Sequence, residues 1–234
     1  SRTNLIIEFM EKNMNVSQAL IERKSVRAFL NQPVALEDVR KILEFARKTP
    51  SGTNTQPWTV AVVSGETKRK LDAALVQAFR EGAPKKLDYN YYPSSLPLAM
   101  KQRRLACGLQ MYQTLGITRQ DQDRRLLQWE QNYSAFGAPV VLYFFINKLV
   151  DKGSFMDCGM FLQSVMLMAT ELGLASCAQA ALAEYPDIVR EHLGYSDDNL
   201  VLCGLALGYE DTTALINSYR TAREEVDVFA KFFA

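Results

Sequence analysis

Near the start of the chain, Arg23-Lys24-Ser25-Val26-Arg27 combines fixed positive charge with a hydroxyl at alternating positions. In an extended backbone residues 23, 25 and 27 share one side, which sets two guanidinium groups and a hydroxyl along roughly 13 Å. A guanidinium presents a rigid fork of donors that suits a phosphate or a carbonyl edge, and permanent positive charge beside a reducible ring stabilises its anionic reduced form. The row, with Lys24 as a further cation, therefore suits an anionic cofactor. A plain solvated basic stretch has the same composition, so the row needs companions before it means anything.

Candidate companions lie far along the chain. Thr49-Pro50-Ser51-Gly52-Thr53-Asn54-Thr55-Gln56-Pro57-Trp58 is a run of small hydrogen-bonding residues between an expected helix and an expected strand. Gly52 permits close backbone approach, while Ser51 and Asn54 match a heterocycle that alternates C=O and N–H groups; Pro50 and Gly52 alone would also justify an ordinary turn. Ser176-Cys177-Ala178-Gln179-Ala180-Ala181 is a small-residue segment whose backbone N–H groups can reach a ring edge without obstruction. In the tail, Arg220 and Arg223 either close an anion site or pair with the adjacent Glu224 and Glu225.

Other chemistries are poorly supplied. The only histidine, His192, precludes a two-histidine metal site, and its place before Gly194 puts it in the last turn of a short helix, a structural role. Cys107, Cys158, Cys177 and Cys203 form no C-x-x-C and read as reduced thiols, so no metal site is assigned. Neither G-x-G-x-x-G nor G-x-x-x-x-G-K-[ST] occurs. With 27 Lys and Arg against 26 Asp and Glu, the formal charge of +1 gives no field to attract nucleic acid or acidic lipid. The longest apolar runs fall far short of the roughly 20 residues of a membrane helix. Charges at Arg2, Glu8, Glu11 and Lys12 interrupt any signal core, which leaves the cytoplasm as the expected location.

The elements that must hold these residues follow from periodicity. Within 234 residues, helices are expected near 3 to 13, 16 to 22, 36 to 47 and 66 to 80, the last with Ser64 as N-cap. Strands are expected at Trp58 to Val63, Val140 to Ile146 and Leu200 to Leu207, the last two apolar enough to be covered on both faces. Residues 154 to 172 form a helix apolar around nearly its whole circumference, buried in the core or against a second subunit. Pro186 opens a further helix, and Gly204 and Gly208 mark close packing in the last strand. The stretch from 82 to 136 differs in character, with Tyr89, Tyr91 and Tyr92 followed by basic helical segments around 102 to 115 and 121 to 133. It reads as an excursion or cap on one domain spanning residues 1 to 234, and its tyrosines with Trp129 either line a planar-ligand pocket or simply pack.

From about Leu20 to the C-terminus, the order of these segments resembles the FMN-dependent nitroreductase family. The resemblance is carried by Arg23-x-Ser25-x-Arg27, by Pro50 to Trp58, by Gly137-Ala138-Pro139-Val140 before a strand, and by Asp157-Cys158-Gly159-Met160-Phe161 in the apolar helix. Glu184-Tyr185-Pro186 and Leu207-Gly208-Tyr209 complete it. The resemblance implies an α+β fold with a mixed, mainly antiparallel sheet flanked by helices, and a long buried central helix at a homodimer interface. It also implies FMN as the bound cofactor, in pockets at that interface. Arg23, Lys24, Ser25 and Arg27 would then meet the FMN phosphate, ribityl chain and pyrimidine edge, with Arg223 completing the phosphate clamp. Pro50, Ser51, Gly52 and Asn54 would approach from the partner subunit, and Ala178, Gln179 and Ala180 would lie by the N5 edge. The implied activity is hydride transfer from NAD(P)H through FMN to a small aromatic acceptor, a nitroaromatic or quinone, by a ping-pong mechanism. No protein residue is assigned as a catalytic acid or base. A reductive dehalogenase, a flavin dehydrogenase and a non-catalytic flavin-binding protein are the alternatives.

Overall fold

The computed structural model describes residues 14 to 233, so the helix expected over residues 3 to 13 lies outside the described residues. Its helices are α1 (Val16–Glu22), α2 (Leu36–Ala46), α3 (Gly65–Arg80), α4 (Leu98–Thr114), α5 (Gln122–Glu130), α6 (Lys152–Glu171), α7 (Pro186–Leu193) and α8 (Val226–Phe229). Strands β1 (Trp58–Ser64), β2 (Val140–Asn147), β3 (Ala175–Gln179) and β4 (Asn199–Gly208) pair in the order β1-β2-β4-β3, every pair antiparallel. An isolated parallel bridge, Ser25 to Ser176, lies outside the open edge of β3 and is where the expected mixed character is found.

Strand β2 explains the layering. All of it but Asn147 is buried. Val141, Tyr143 and Phe145 join one apolar cluster with Leu71 and Leu75 of α3 and Val189 of α7, whereas Val140, Leu142, Phe144 and Ile146 join a second with Ile42 of α2 and Phe161 and Val165 of α6. A strand with no polar residue on either side must be covered twice, which is what the helices do. Gly204 in β4 lets the turn after β3 fold back over the sheet: a Cβ there would lie 2.3 Å from Leu182 Cδ1.

Several local expectations change. The small-residue segment, for which no element was expected, begins as the edge strand β3, because its backbone groups pair with Gly204 to Gly208 of β4. Ser64 stands at the N-cap of α3, yet its side chain makes no capping bond. Helix α6 buries Asp157, Cys158, Phe161, Val165 and Ala169, but Met156 and Met160 are 67% and 38% exposed. One chain covers only one side of this helix, because the α2 and β-sheet surfaces it packs against occupy a single stripe of it.

A β-bulge sets up the site. Between Phe144 and Phe145 the register with β4 shifts, so that Phe144 faces Cys203 and Phe145 faces Val201, leaving Leu202 as the extra residue. Its carbonyl accepts the Tyr89 hydroxyl hydrogen bond at 2.7 Å, and the neighbouring Val201 N–H donates to Asp88 Oδ2 at 2.8 Å. The start of the 82 to 136 excursion is thereby fastened to the sheet at its irregularity.

Candidate functional site

The basic row runs along the β3 edge. Val26 N–H donates to the Ser176 carbonyl at 3.0 Å, and Val26 itself is buried. Arg23, Ser25 and Arg27 all act on the buried Cys177 thiol, Ser25 through a side-chain hydrogen bond, so the odd-numbered residues share a side. Burial still pushes that thiol up despite them. Lys24 turns the other way: its ammonium donates to the Asn217 carbonyl at 2.7 Å and pairs with Glu210 at 2.6 Å.

Asn217 is a hub that no sequence motif signals. It is buried, accepts the Arg27 N–H at 2.8 Å through Oδ1, and donates through Nδ2 to the carbonyls of Ala28 and Asp211, both at 2.9 Å. Arg220 donates to the carbonyls of Ile21, Glu22 and Arg23, satisfying the last orphan acceptors of α1. That anchors the tail against the row, and Arg223 beyond it donates only to Thr221 and Ala222.

The result is a concentration of charge without an internal partner. Burial lowers the proton affinity of the Arg23 guanidinium, and repulsion from Arg223 and then Arg220 lowers it further. Among the described residues, Arg23, Arg27 and Arg223 make no carboxylate pair, whereas Glu210 and Glu224 are taken by Lys24 and Arg103. An anion placed here would relieve the repulsion. Gln179 adds a second unmet demand. Its Nε2 faces two acceptors on Asn132, the carbonyl at 3.0 Å and Oδ1 at 3.3 Å, which leaves Oε1 buried with no partner.

Beside β3 lies a cavity of about 260 Å³. Ala178, Gln179 and Ala180 form one wall, Phe155, Cys158 and Leu162 of α6 another, and Tyr89 and Tyr91 the rim. Tyr89 is held by its bond to the bulge and by edge contact with Phe155 at 5.2 Å. Burial raises its hydroxyl well above the ordinary phenol range, so at neutral pH it is a neutral donor. The Cys158 and Cys203 thiols, each pushed up to about 12 mainly by burial, are not nucleophiles at neutral pH. Among the described residues no cluster of His, Cys, Asp or Glu could hold a metal ion, and no helix is long and apolar enough to cross a membrane.

The loop at 50 to 56 is elsewhere in the same chain. Gly52 N–H donates to the buried Asp157 carboxylate at 3.1 Å, Thr49 Oγ1 donates to Ser164 Oγ at 2.8 Å, and Ser51 Oγ accepts from Gln56 N–H at 2.9 Å. Thr53, Asn54 and Gln56 take left-handed backbone angles, φ 48°, 60° and 49°, a conformation costly for residues other than glycine and common at ligand-binding turns. None of Pro50, Ser51, Gly52 and Asn54 lines the β3 cavity. The single chain thus brings Arg23, Ser25, Arg27 and Arg223 to the edge that carries Ala178, Gln179 and Ala180, turns Lys24 toward Glu210 and Asn217, and sets the Pro50 to Asn54 loop on a different face of α6, at Asp157 and Ser164. Asp157 anchors that loop; the sequence showed it opening the Asp157 to Phe161 segment of the apolar helix, with nothing to mark it as the partner of Gly52.

A family model described as the Nitroreductase family matches residues 20 to 209. The 4-nitrobenzoate reductase of Pseudomonas putida is 35% identical over 90% of this chain and 92% of its own length. The crystal structure of the FMN and NADPH-dependent nitroreductase NfnB from sphigopyxis sp. strain HMH superposes with a TM-score of 0.91 at 38% identity, covering 94% of this chain and all of that one (100%). The FMN-dependent nitroreductase NfnB from Mycobacterium smegmatis, solved in complex with NADPH, gives a TM-score of 0.89 at 34% identity over 94% and 100%.

Proposed function

This chain belongs to the nitroreductase family, and from that premise we infer that it is an FMN-dependent enzyme that reduces nitroaromatic compounds, and by extension quinones, with NAD(P)H. The observation that carries this reading is the unneutralised arginine cluster on the β3 edge beside an apolar, aromatic-rimmed cavity. Those residues fit FMN chemically. Arg23 and Arg223 supply charge for a phosphate, Ser25 and Arg27 supply donors for a polyol and a carbonyl edge, and the exposed Ala178 with Ala180 offers backbone N–H groups at a wall without bulky side chains. Lys24 contributes by pinning the 210 and 217 segments and through its own backbone. When bound, the flavin supplies the electron relay between nicotinamide and acceptor.

The protein's own tasks are then to orient and to exclude water. Tyr89 and Tyr91 present faces against which a planar ring can stack, and Tyr89 keeps its proton. Arg27 holds fixed positive charge where electron density accumulates. No histidine or ionised thiol is at hand to act as a base. A cleft of this size suits reductant and acceptor in turn rather than together, the arrangement of a ping-pong cycle.

The active unit in this reading is a homodimer, with Pro50, Ser51, Gly52 and Asn54 reaching the partner's cofactor and the 82 to 136 excursion serving as substrate cover. Support comes from the bare side of α6 at Met156 and Met160, and from a tail whose Val228, Phe229, Phe232 and Phe233 are 66%, 72%, 81% and 91% exposed. The test is to purify the chain, add FMN and follow NADPH or NADH oxidation with 4-nitrobenzoate. Retained flavin and turnover are expected; a protein that holds no flavin, or oxidises neither nucleotide, overturns the assignment.

A further inference from the structure

A second cavity, of about 740 Å³, lies within the cover between the 93 to 96 segment, one face of α4 and the turn at 116 to 119. Lys101, Arg104, Arg119 and Arg125 line it, and no carboxylate does. Among the described residues none of these cations makes an ion pair, whereas the adjacent Arg103 and Arg124, which do not line the cavity, pair with Glu224 and Asp121. Arg104 lies over the Tyr92 ring at 5.0 Å and Arg125 over Tyr112 at 4.2 Å, contacts that orient a guanidinium without neutralising it. Leu105 and Leu109, 57% and 40% exposed, give the cavity an apolar wall.

This cavity abuts the flavin-side residues. Tyr112 also lines a small cavity of about 160 Å³ together with Arg27 and Asn132, and Asn132 accepts from Gln179. Tyr112 is therefore a wall residue shared by the cationic chamber and the small cavity that Arg27 lines. The charge and size exclude a simple acceptor as the natural occupant: a nitroaromatic acid brings one negative charge and one ring, against four cations and a volume typical of a whole cofactor fragment. A phosphorylated nucleoside brings several charges and a planar base that stacks on guanidinium faces.

The geometry points to the cover cavity as the dock for the 2′-phosphorylated adenosine end of NADPH, with Arg104 and Arg119 as residues that set preference for NADPH over NADH. The assignment rests on the reading that a nicotinamide nucleotide reduces this enzyme.

The direct test is calorimetric titration of FMN-loaded protein with adenosine 2′,5′-bisphosphate, with adenosine 5′-monophosphate and 4-nitrobenzoate as competing probes, in wild type, Arg104→Gln, Arg119→Gln and Lys101→Gln. The bisphosphate should bind wild type more tightly than the monophosphate, and each arginine variant should weaken it about 10- to 100-fold, the loss of one charge-assisted contact. The ratio of kcat/KM for NADPH to that for NADH should fall by a similar factor. Equal binding of the two nucleotides, an equal loss with NADPH and NADH, displacement by 4-nitrobenzoate, or no bisphosphate binding because a second copy fills the cavity would each overturn the assignment. Retained flavin colour and NADH-driven nitro reduction in wild type would leave the enzymatic reading standing in those cases, so the two failures are distinguishable.

Discussion

The sheet and the cover are built on opposite terms. Strand β2 is buried along nearly its whole length, and α3 and α6 press it from both sides. Helix α4 of the cover, though 17 residues long, has no buried residue, and its ties to the rest of the chain are polar: Arg103 to Glu224 and Gln110 to the Arg220 carbonyl. Hydrophobic burial scales with area removed from water, so the sheet fixes its own geometry while the cover gains little stability in one chain. Under the proposed function, the residues assigned to the flavin sit on the rigid part and the surface assigned to soluble substrates on the loose one. Specificity can therefore change in the cover without disturbing the β3 edge.

The sharpest contrast should be chemical. Alkylation by iodoacetamide at neutral pH should take the exposed Cys107 of the cover first, with Cys158 and Cys203 slower by on the order of a thousandfold, since thiols pushed up to about 12 carry almost no thiolate. Comparable labelling of all would show that the sheet region opens readily. Next, Phe145→Ala should destabilise by about 3–5 kcal/mol in urea unfolding, because Phe145 is fully buried and stacks on Tyr195 at 4.2 Å. Arg27→Ala touches the boundary between the regions. Its backbone stays pinned by Asn217, and FMN retention measured by ultrafiltration should weaken by about 1.5–3 kcal/mol, with unchanged affinity removing it from the cofactor site. The smallest effect is expected at Leu105→Ala, within about 0.5 kcal/mol in the same urea assay. A cost comparable to Phe145→Ala would mean that the cover is buried by a second copy.

Much of this was legible in the sequence for simple reasons. Continuous apolar runs announced β2 and β4, Pro186 and Gly194 bracketed α7, and the alternation of Arg23, Ser25 and Arg27 was enough to put them on one side of an extended segment. The strand character of Ala175 to Gln179 was hidden, because Ala, Ser and Gln carry little strand preference and it is the open edge of β4 that makes them pair. The choice left open for α6, core or second subunit, was not legible either: an apolar circumference does not say which surface covers each side, and within one chain Met156 and Met160 stay exposed.

By itself the sequence determined which segments are strands with two covered faces, which residues bring fixed cations, and which loop offers small polar groups, because side-chain type and period act locally. Only the tertiary structure decided that Leu202 would be the odd residue of a bulge whose carbonyl captures Tyr89, that Asn217 would gather Lys24 and Arg27, and that Asp157 would fasten Gly52 to α6. Each is a hydrogen bond between residues about 100 or more positions apart. Such a bond forms when chain topology delivers a buried donor and acceptor to the same place, and no local pattern encodes that meeting.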